Sequence, residues 1–139
     1  MIVQDIMSRR VVTVELDDKI SAVKEIFDNL KFHHVLVVED GVLLGVVSDR
    51  DLLKALSPNI GTSTESYKDT ATLNKRVHQI MSREPSRLHP EATLLEAINV
   101  FNTHTISCIP IVDHADRPVG ILSWRDILKA LPTSLKDDN

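Results

Sequence analysis

Two stretches decide the fold: Gly45-Val-Val-Ser-Asp-Arg-Asp-Leu-Leu-Lys-Ala-Leu56 and Gly120-Ile-Leu-Ser-Trp-Arg-Asp-Ile-Leu-Lys-Ala-Leu131. Eight of the twelve positions are identical, and three more exchange one aliphatic residue for another; only Asp49 against Trp124 changes character. A second match lies upstream, where Asp5-Ile-Met-Ser-Arg9 parallels Gln79-Ile-Met-Ser-Arg83. The heads match at an offset of 74 and the tails at 75, so one residue is added between them. The addition is placed at a turn, where Glu39-Asp-Gly41 faces the longer Asp113-His-Ala-Asp-Arg-Pro118. The chain is a tandem duplication whose period exceeds the roughly 20–50 residues of solenoid repeats.

Each copy yields the same elements. The Ile-Met-Ser head reads as a short helical turn. A β-branched strand is expected over 11–14, with a weaker counterpart over 85–88. A helix follows over 19–30, with Ile20, Val23, Ile26, Phe27 and Leu30 on one face; its counterpart spans 93–103. Two strands joined by a turn come next, over 35–38 and 42–47 and again over 108–112 and 119–122, apolar enough to suggest burial on both faces. Helices over 49–56 and 124–131 close the copies, stopped by Pro58 and Pro132. Residues 57–74, SPNIGTSTESYKDTATLN, read as a linker without periodicity. The expected domains are therefore 1–57 and 75–139 around a linker over 58–74. A unit of about 60 residues buries too little surface to be secure alone, so the copies are expected to pack together. Pro110, inside a strand, allows only an edge, a strand start or a bulge there.

Composition narrows the function. With 139 residues, 42% hydrophobic, and 20 acidic against 16 basic side chains, the formal charge is −4. That balance argues against binding nucleic acid through excess Lys and Arg. No apolar run approaches the ~20 residues of a bilayer span. The N-terminus lacks a secretory layout, and the one cysteine, Cys108, cannot form an internal disulfide. A cytoplasmic protein is expected.

The duplicated β-α-β-β-α unit resembles a CBS-domain (cystathionine β-synthase domain) pair. The resemblance is carried by Gly45-Val-Val-Ser-Asp-Arg-Asp51, Gly120-Ile-Leu-Ser-Trp-Arg-Asp126, Ile109-Pro-Ile-Val-Asp113 and the Ile-Met-Ser heads. It implies an α+β fold, two units packed about a pseudo-twofold axis with two clefts between them, and an adenosyl ligand of the AMP, ADP, ATP or S-adenosylmethionine class. On the same basis Asp51 and Asp126 would hold the ribose hydroxyls, with Ser48 and Ser123 beside the ribose or phosphate. Arg50 and Arg125 could reach a phosphate. His33-His34-Val35 and Ser107-Cys108-Ile109 would flank the adenine, largely through backbone groups. A homodimer is implied, as is a regulatory module acting on a target protein in trans by population shift, with the ligand regulatory and not catalytic.

The residues also have plain readings. Ser-x-x-Asp is a helix capping box, compatible with a diol bound by the same carboxylate. His33 and His34 are adjacent on a strand edge and so point to opposite faces, unable to chelate one ion. The remaining histidines are scattered without the spacing of a zinc site, so no metal is expected. Cys108 reads as a small buried hydrophobe, and Trp124 as core or interface packing. The glycines before each motif permit a ligand or another backbone to approach closely. Leu36 stands where the second copy has Pro110, and Asp49 makes the first cleft the more acidic, so the clefts are not expected to be equivalent. No nucleophile–base set appears, so no catalytic residue is assigned. The alternative to the ligand-binding module is a structural or protein-interaction module with unoccupied clefts.

Overall fold

The computed structural model describes residues 1–137, with side chains described through residue 132. Its contacts gather the chain into two units. One, the first-repeat unit, is built from Val12–Asp40 and Leu44–Glu84; the other, the second-repeat unit, from Met1–Val11, Gly41–Leu43 and the chain from Pro85 on. Each unit thus takes its body from one copy and its Ile-Met-Ser head from the other.

In the first-repeat unit, β1 (Thr13–Glu15) leads to α1 (Ile20–Asn29), then β2 (His34–Glu39), β3 (Val42–Ser48) and α2 (Asp49–Ala55). After α3 (Tyr67–Ala71) the chain returns as β4 (Ser82–Arg83), giving the sheet order β1-β2-β3-β4. β1 runs parallel to β2, with Val14 opposite Val37, and β4 runs antiparallel to β3. Val14, Val23, Val35, Val37, Val47 and Val77 form the core, with Ile26 and Phe27 of α1 packed on it. β1 sits later than the expected 11–14 because Val14 turns into this core while Thr13 and Glu15 stay exposed.

The second-repeat unit repeats the plan with α4 (Leu94–Thr103), β5 (Cys108–Val112), β6 (Pro118–Ser123) and α5 (Trp124–Asp137) around Val3, Ala97, Ile109, Ile111, Leu122 and Ile127. Its counterpart of β1 shrinks to one parallel bridge, Leu88 to Ile111. Proline chemistry explains this. In the first copy the Leu36 N–H donates to the Val12 carbonyl at 2.9 Å; Pro110 occupies the place of Leu36 and has no N–H to give. Pro110 keeps its carbonyl in use, accepting from the Leu88 N–H at 3.2 Å, next to a register shift at Ile111/Val112.

Three expectations need correction. All four central residues of β2 are buried, as are all five of β5, but β3 and β6 alternate buried with half-buried positions, so only one of their faces is fully covered. Pro132 does not stop α5, which runs through it to Asp137. A proline here forfeits only the bond to the carbonyl four residues back, that of Leu128, whose side chain is 53% exposed and where water can substitute. The segment 57–74 holds α3, whose entry is closed by Ser66 and Asp69: the Ser66 N–H donates to Asp69 Oδ2 at 2.8 Å.

The heads are placed by the same local chemistry in both units. Val3, fully buried, donates its N–H to the Ala92 carbonyl at 2.8 Å, and Val77, fully buried, donates to Asp18 at 2.9 Å. Each Ile-Met-Ser then lies across the glycine that opens the opposite motif. A Cβ on Gly45 would stand 2.8 Å from both Met81 Sδ and the Ser82 carbonyl oxygen; on Gly120 it would stand 2.5 Å from Met7 Sδ and 3.0 Å from the Ser8 carbonyl oxygen. What these glycines admit is a backbone, not a ligand.

Candidate functional site

β3 delivers Ser48 to the first turn of α2, and β6 delivers Ser123 to that of α5. In the first copy the Ser48 N–H donates to Asp51 Oδ2 at 2.9 Å and the Asp51 N–H donates to Ser48 Oγ at 3.0 Å. In the second, the Ser123 N–H donates to Asp126 Oδ2 at 2.8 Å and the Asp126 N–H to Ser123 Oγ at 3.2 Å. Both are complete capping boxes. Each fixes its aspartate through Oδ2, leaving Oδ1 outside the box. A carboxylate anchored through one oxygen keeps acceptor capacity on the other, the chemistry that suits the hydroxyls of a vicinal diol.

His33 joins the first box at the entry to β2. Its carbonyl accepts the Asp49 N–H at 2.9 Å, and its ring Nδ1 lies 3.0 Å from Asp49 Oδ2. The His33 side chain is 76% exposed and that of Asp49 50%. His34 is half-buried, and burial holds its imidazole below the ordinary 6.5; Asp49 and Asp51 oppose that shift, while His33 adds to it. Ser48, Arg50, Asp51, His33, His34 and Val35 therefore fall in one unit. Val35 is buried in the core, so only its backbone can reach a ligand, and Arg50 is exposed.

In the second-repeat unit Cys108 pairs with Ser123 across β5 and β6, bringing Ser107-Cys108-Ile109 beside the box of Asp126. Cys108 and Ile109 are buried, at 6% and 0% exposure, and Arg125 is exposed. Asp126 lines a hollow of about 240 Å³ with Ile6, Lys129 and Ala130. Trp124, expected to pack, is 51% exposed. Ile6 and Lys129 were not among the residues singled out from sequence. Lys129 could have been, since it lies three residues beyond Asp126 on the same helical face; Ile6 could not, since only the exchange of heads brings it here.

Two further findings bear on specificity. Ser66 and Asp69 carry the Ser-x-x-Asp pattern in the linker as half a box, the Ser66 N–H and hydroxyl both donating to Asp69 Oδ2 at 2.8 and 3.0 Å, so the pattern alone can serve a purely structural end. His89 and His114, far apart in sequence, bring their rings to 5.2 Å, and His89 Nδ1 lies 3.0 Å from the Val112 carbonyl oxygen. Among the described residues no group of three or more His, Cys, Asp or Glu could hold a metal ion, and no helix is long and apolar enough to cross a membrane.

A duplicated unit of this topology, with a boxed Ser-x-x-Asp closing each copy, defines a tandem α+β repeat protein. The chain belongs to the CBS domain family, which it matches over residues 3–58 and 77–133. It is 27% identical to a CBS domain-containing protein of Dictyostelium discoideum, over 94% of this chain and 91% of that protein. It is 30% identical to an L-aspartate semialdehyde sulfurtransferase of Methanosarcina acetivorans, over 94% of this chain but 24% of that enzyme's length. A homoserine O-acetyltransferase of Methanococcoides burtonii is likewise 29% identical, with 23% of its length covered. Among solved structures, the CBS domain pair of protein MJ0100 in complex with 5′-methylthioadenosine and S-adenosylmethionine aligns with a TM-score of 0.79, over 96% of this chain and 98% of that one. CBSX2 of Arabidopsis thaliana in complex with AMP aligns at 0.78, over 96% and 97%. Both are 24% identical to this chain, and the likeness establishes the shared fold.

Proposed function

We propose that the chain is a regulatory module, not a catalyst, that binds an adenosyl ligand at its Ser-x-x-Asp motifs. The observation that carries the reading is the double placement of Asp126, held by the capping box through one oxygen and at the same time lining a hollow with Lys129. A carboxylate there suits a ribose diol, and an adjacent ammonium suits a phosphate or other anionic group. The adenosyl class is suggested by the ligands of the two fold neighbours. In this reading Asp51 and Asp126 hold the ribose, Ser48 and Ser123 lie beside it, Arg50 and Arg125 reach outward to a phosphate, and the backbones of 33–35 and 107–109 flank the base. The ligand shifts a conformational population that a target protein reads, in the cytoplasm. The active species is a homodimer in which a second copy covers the exposed Leu128 of α5. Leu128→Glu is expected to shift the chain to monomer in light scattering; an unchanged mass would rule that face out.

A second reading, an interaction module that binds no nucleotide, is favoured by one observation: the Ser-x-x-Asp of the linker spends its carboxylate on Ser57 and Ser66 within the protein itself. Thermal melting with AMP, ADP, ATP, S-adenosylmethionine and 5′-methylthioadenosine separates the two. A ligand at 100 times its Kd adds about 2.7 kcal/mol to the folded state, a rise of about 5–10 °C for a chain of this size. The ligand reading expects that rise with at least one compound. No shift with any of them at millimolar concentration would favour the interaction module.

A further inference from the structure

The two motifs are the same except where a charge changes. Arg50 matches Arg125 and Lys54 matches Lys129, so the nearby cations cancel in a comparison of the sites. What remains is Asp49 against Trp124, and His33-His34 against Ser107-Cys108. The structure fixes the Asp49 carboxylate in place. His33 grips it at two points, taking its N–H at 2.9 Å and holding Oδ2 at 3.0 Å through the ring. Asp49 and Asp51 stand two residues apart in the first turn of α2, and both pull the half-buried His34 imidazole toward its charged form. At the equivalent place in the second-repeat unit stands an uncharged, half-exposed indole.

We infer that Asp49 is a specificity-determining residue that makes the first site select adenosyl ligands with an uncharged or cationic 5′ group and reject polyphosphate tails, a selection absent from the second site. This rests on the adenosyl reading proposed above. In that reading a ligand whose ribose is held by Asp51 sits at the first turn of α2, which also carries Asp49. A like charge beside the first phosphate, partly screened by solvent, lowers affinity by about tenfold. His33, bonded to Asp49, holds the charge in position and is a positioning residue.

The test is calorimetric titration of the full chain with adenosine and with ATP at pH 8 and low salt. Asp126→Ala isolates the first site and Asp51→Ala the second. In the first background, Asp49→Asn is expected to raise the ratio of ATP to adenosine affinity about tenfold. In the second, Trp124→Asp is expected to lower that ratio by a similar factor. The reciprocal variant guards against a folding defect in either one. Ratios within twofold of the parent in both backgrounds would overturn the inference while leaving the adenosyl reading intact. Failure of the unsubstituted chain to bind either compound would overturn both.

Discussion

At Gly45 and Gly120 the side chain is a single hydrogen because a crossing backbone demands it. The Ser82 carbonyl oxygen would lie 2.8 Å from a Cβ on Gly45, and a carbonyl cannot swing aside as a side chain can. Gly45→Ala is expected to destabilise the chain by about 1–3 kcal/mol, the range for overpacking. Chemical denaturation measures it, and an unchanged midpoint would show that the head is not clamped there. His34 gives a second expectation. Burial lowers its folded pKa below 6.5, so the unfolded chain takes up a proton first as pH falls. Its contribution is therefore fully present above about pH 7, declines as pH drops through 6.5, and levels off once the folded ring protonates. His34→Gln is expected to melt with a shallower loss between pH 7.5 and 5.5; equal losses in both proteins would contradict it. Ser48, Asp51, Ser123 and Asp126 were readable in the sequence as caps because a capping box is a local pattern, its two members three positions apart. The Asp49–His33 pair, sixteen residues apart, was not, since only the packing of α2 on the entry to β2 creates it.

At the scale of elements, apolar runs and turn residues placed α1, α4, β2, β3, β5 and β6 to within a residue or two, and β5 fell where it was expected, over 108–112. The two-residue turn at Asp40-Gly41, where φ is +52° and +81°, needs the left-handed conformations that Asp and Gly tolerate best. The misreading of α5 weighed Pro132 without its hydrogen-bond partner. Proline looks like a stop until the lost bond is seen to be a single one near solvent. A five-residue helix such as α3 shows no periodicity at all, and its sole signal was the Ser-x-x-Asp spacing of Ser66 and Asp69. Pro132→Ala restores the N–H donor to the Leu128 carbonyl and is expected to stabilise α5 by up to about 3 kcal/mol. The check is the melting temperature; a decrease would mean that the proline shapes the helix in a way the native packing requires.

For the whole molecule, the repeat in the sequence showed that two like units exist but not which body each head joins. Head and body are equally similar in either pairing, so local patterns carry no preference. The exchange is settled by contacts distant in sequence, with Val3 completing a core that includes Ile109 and Ile111, and Val77 one that includes Val35 and Val37. The same arrangement brings Ile6 to the hollow beside Asp126. The functional reading turns on separating what these aspartates do as caps from what they do for a ligand. Ser48→Ala with Ser123→Ala removes the hydroxyl half of both boxes, at about 0.5–2 kcal/mol per helix, and leaves the carboxylates. Asp51→Ala with Asp126→Ala removes the carboxylates as well as the other half of the caps. Calorimetric titration of both double variants with AMP or S-adenosylmethionine, whichever raises the melting temperature of the unsubstituted chain more, is the most direct measurement. The expected result is binding retained within a few-fold in the serine pair and lost by a hundredfold or more in the aspartate pair. Equal affinity in the two would contradict the claim that these carboxylates hold the sugar.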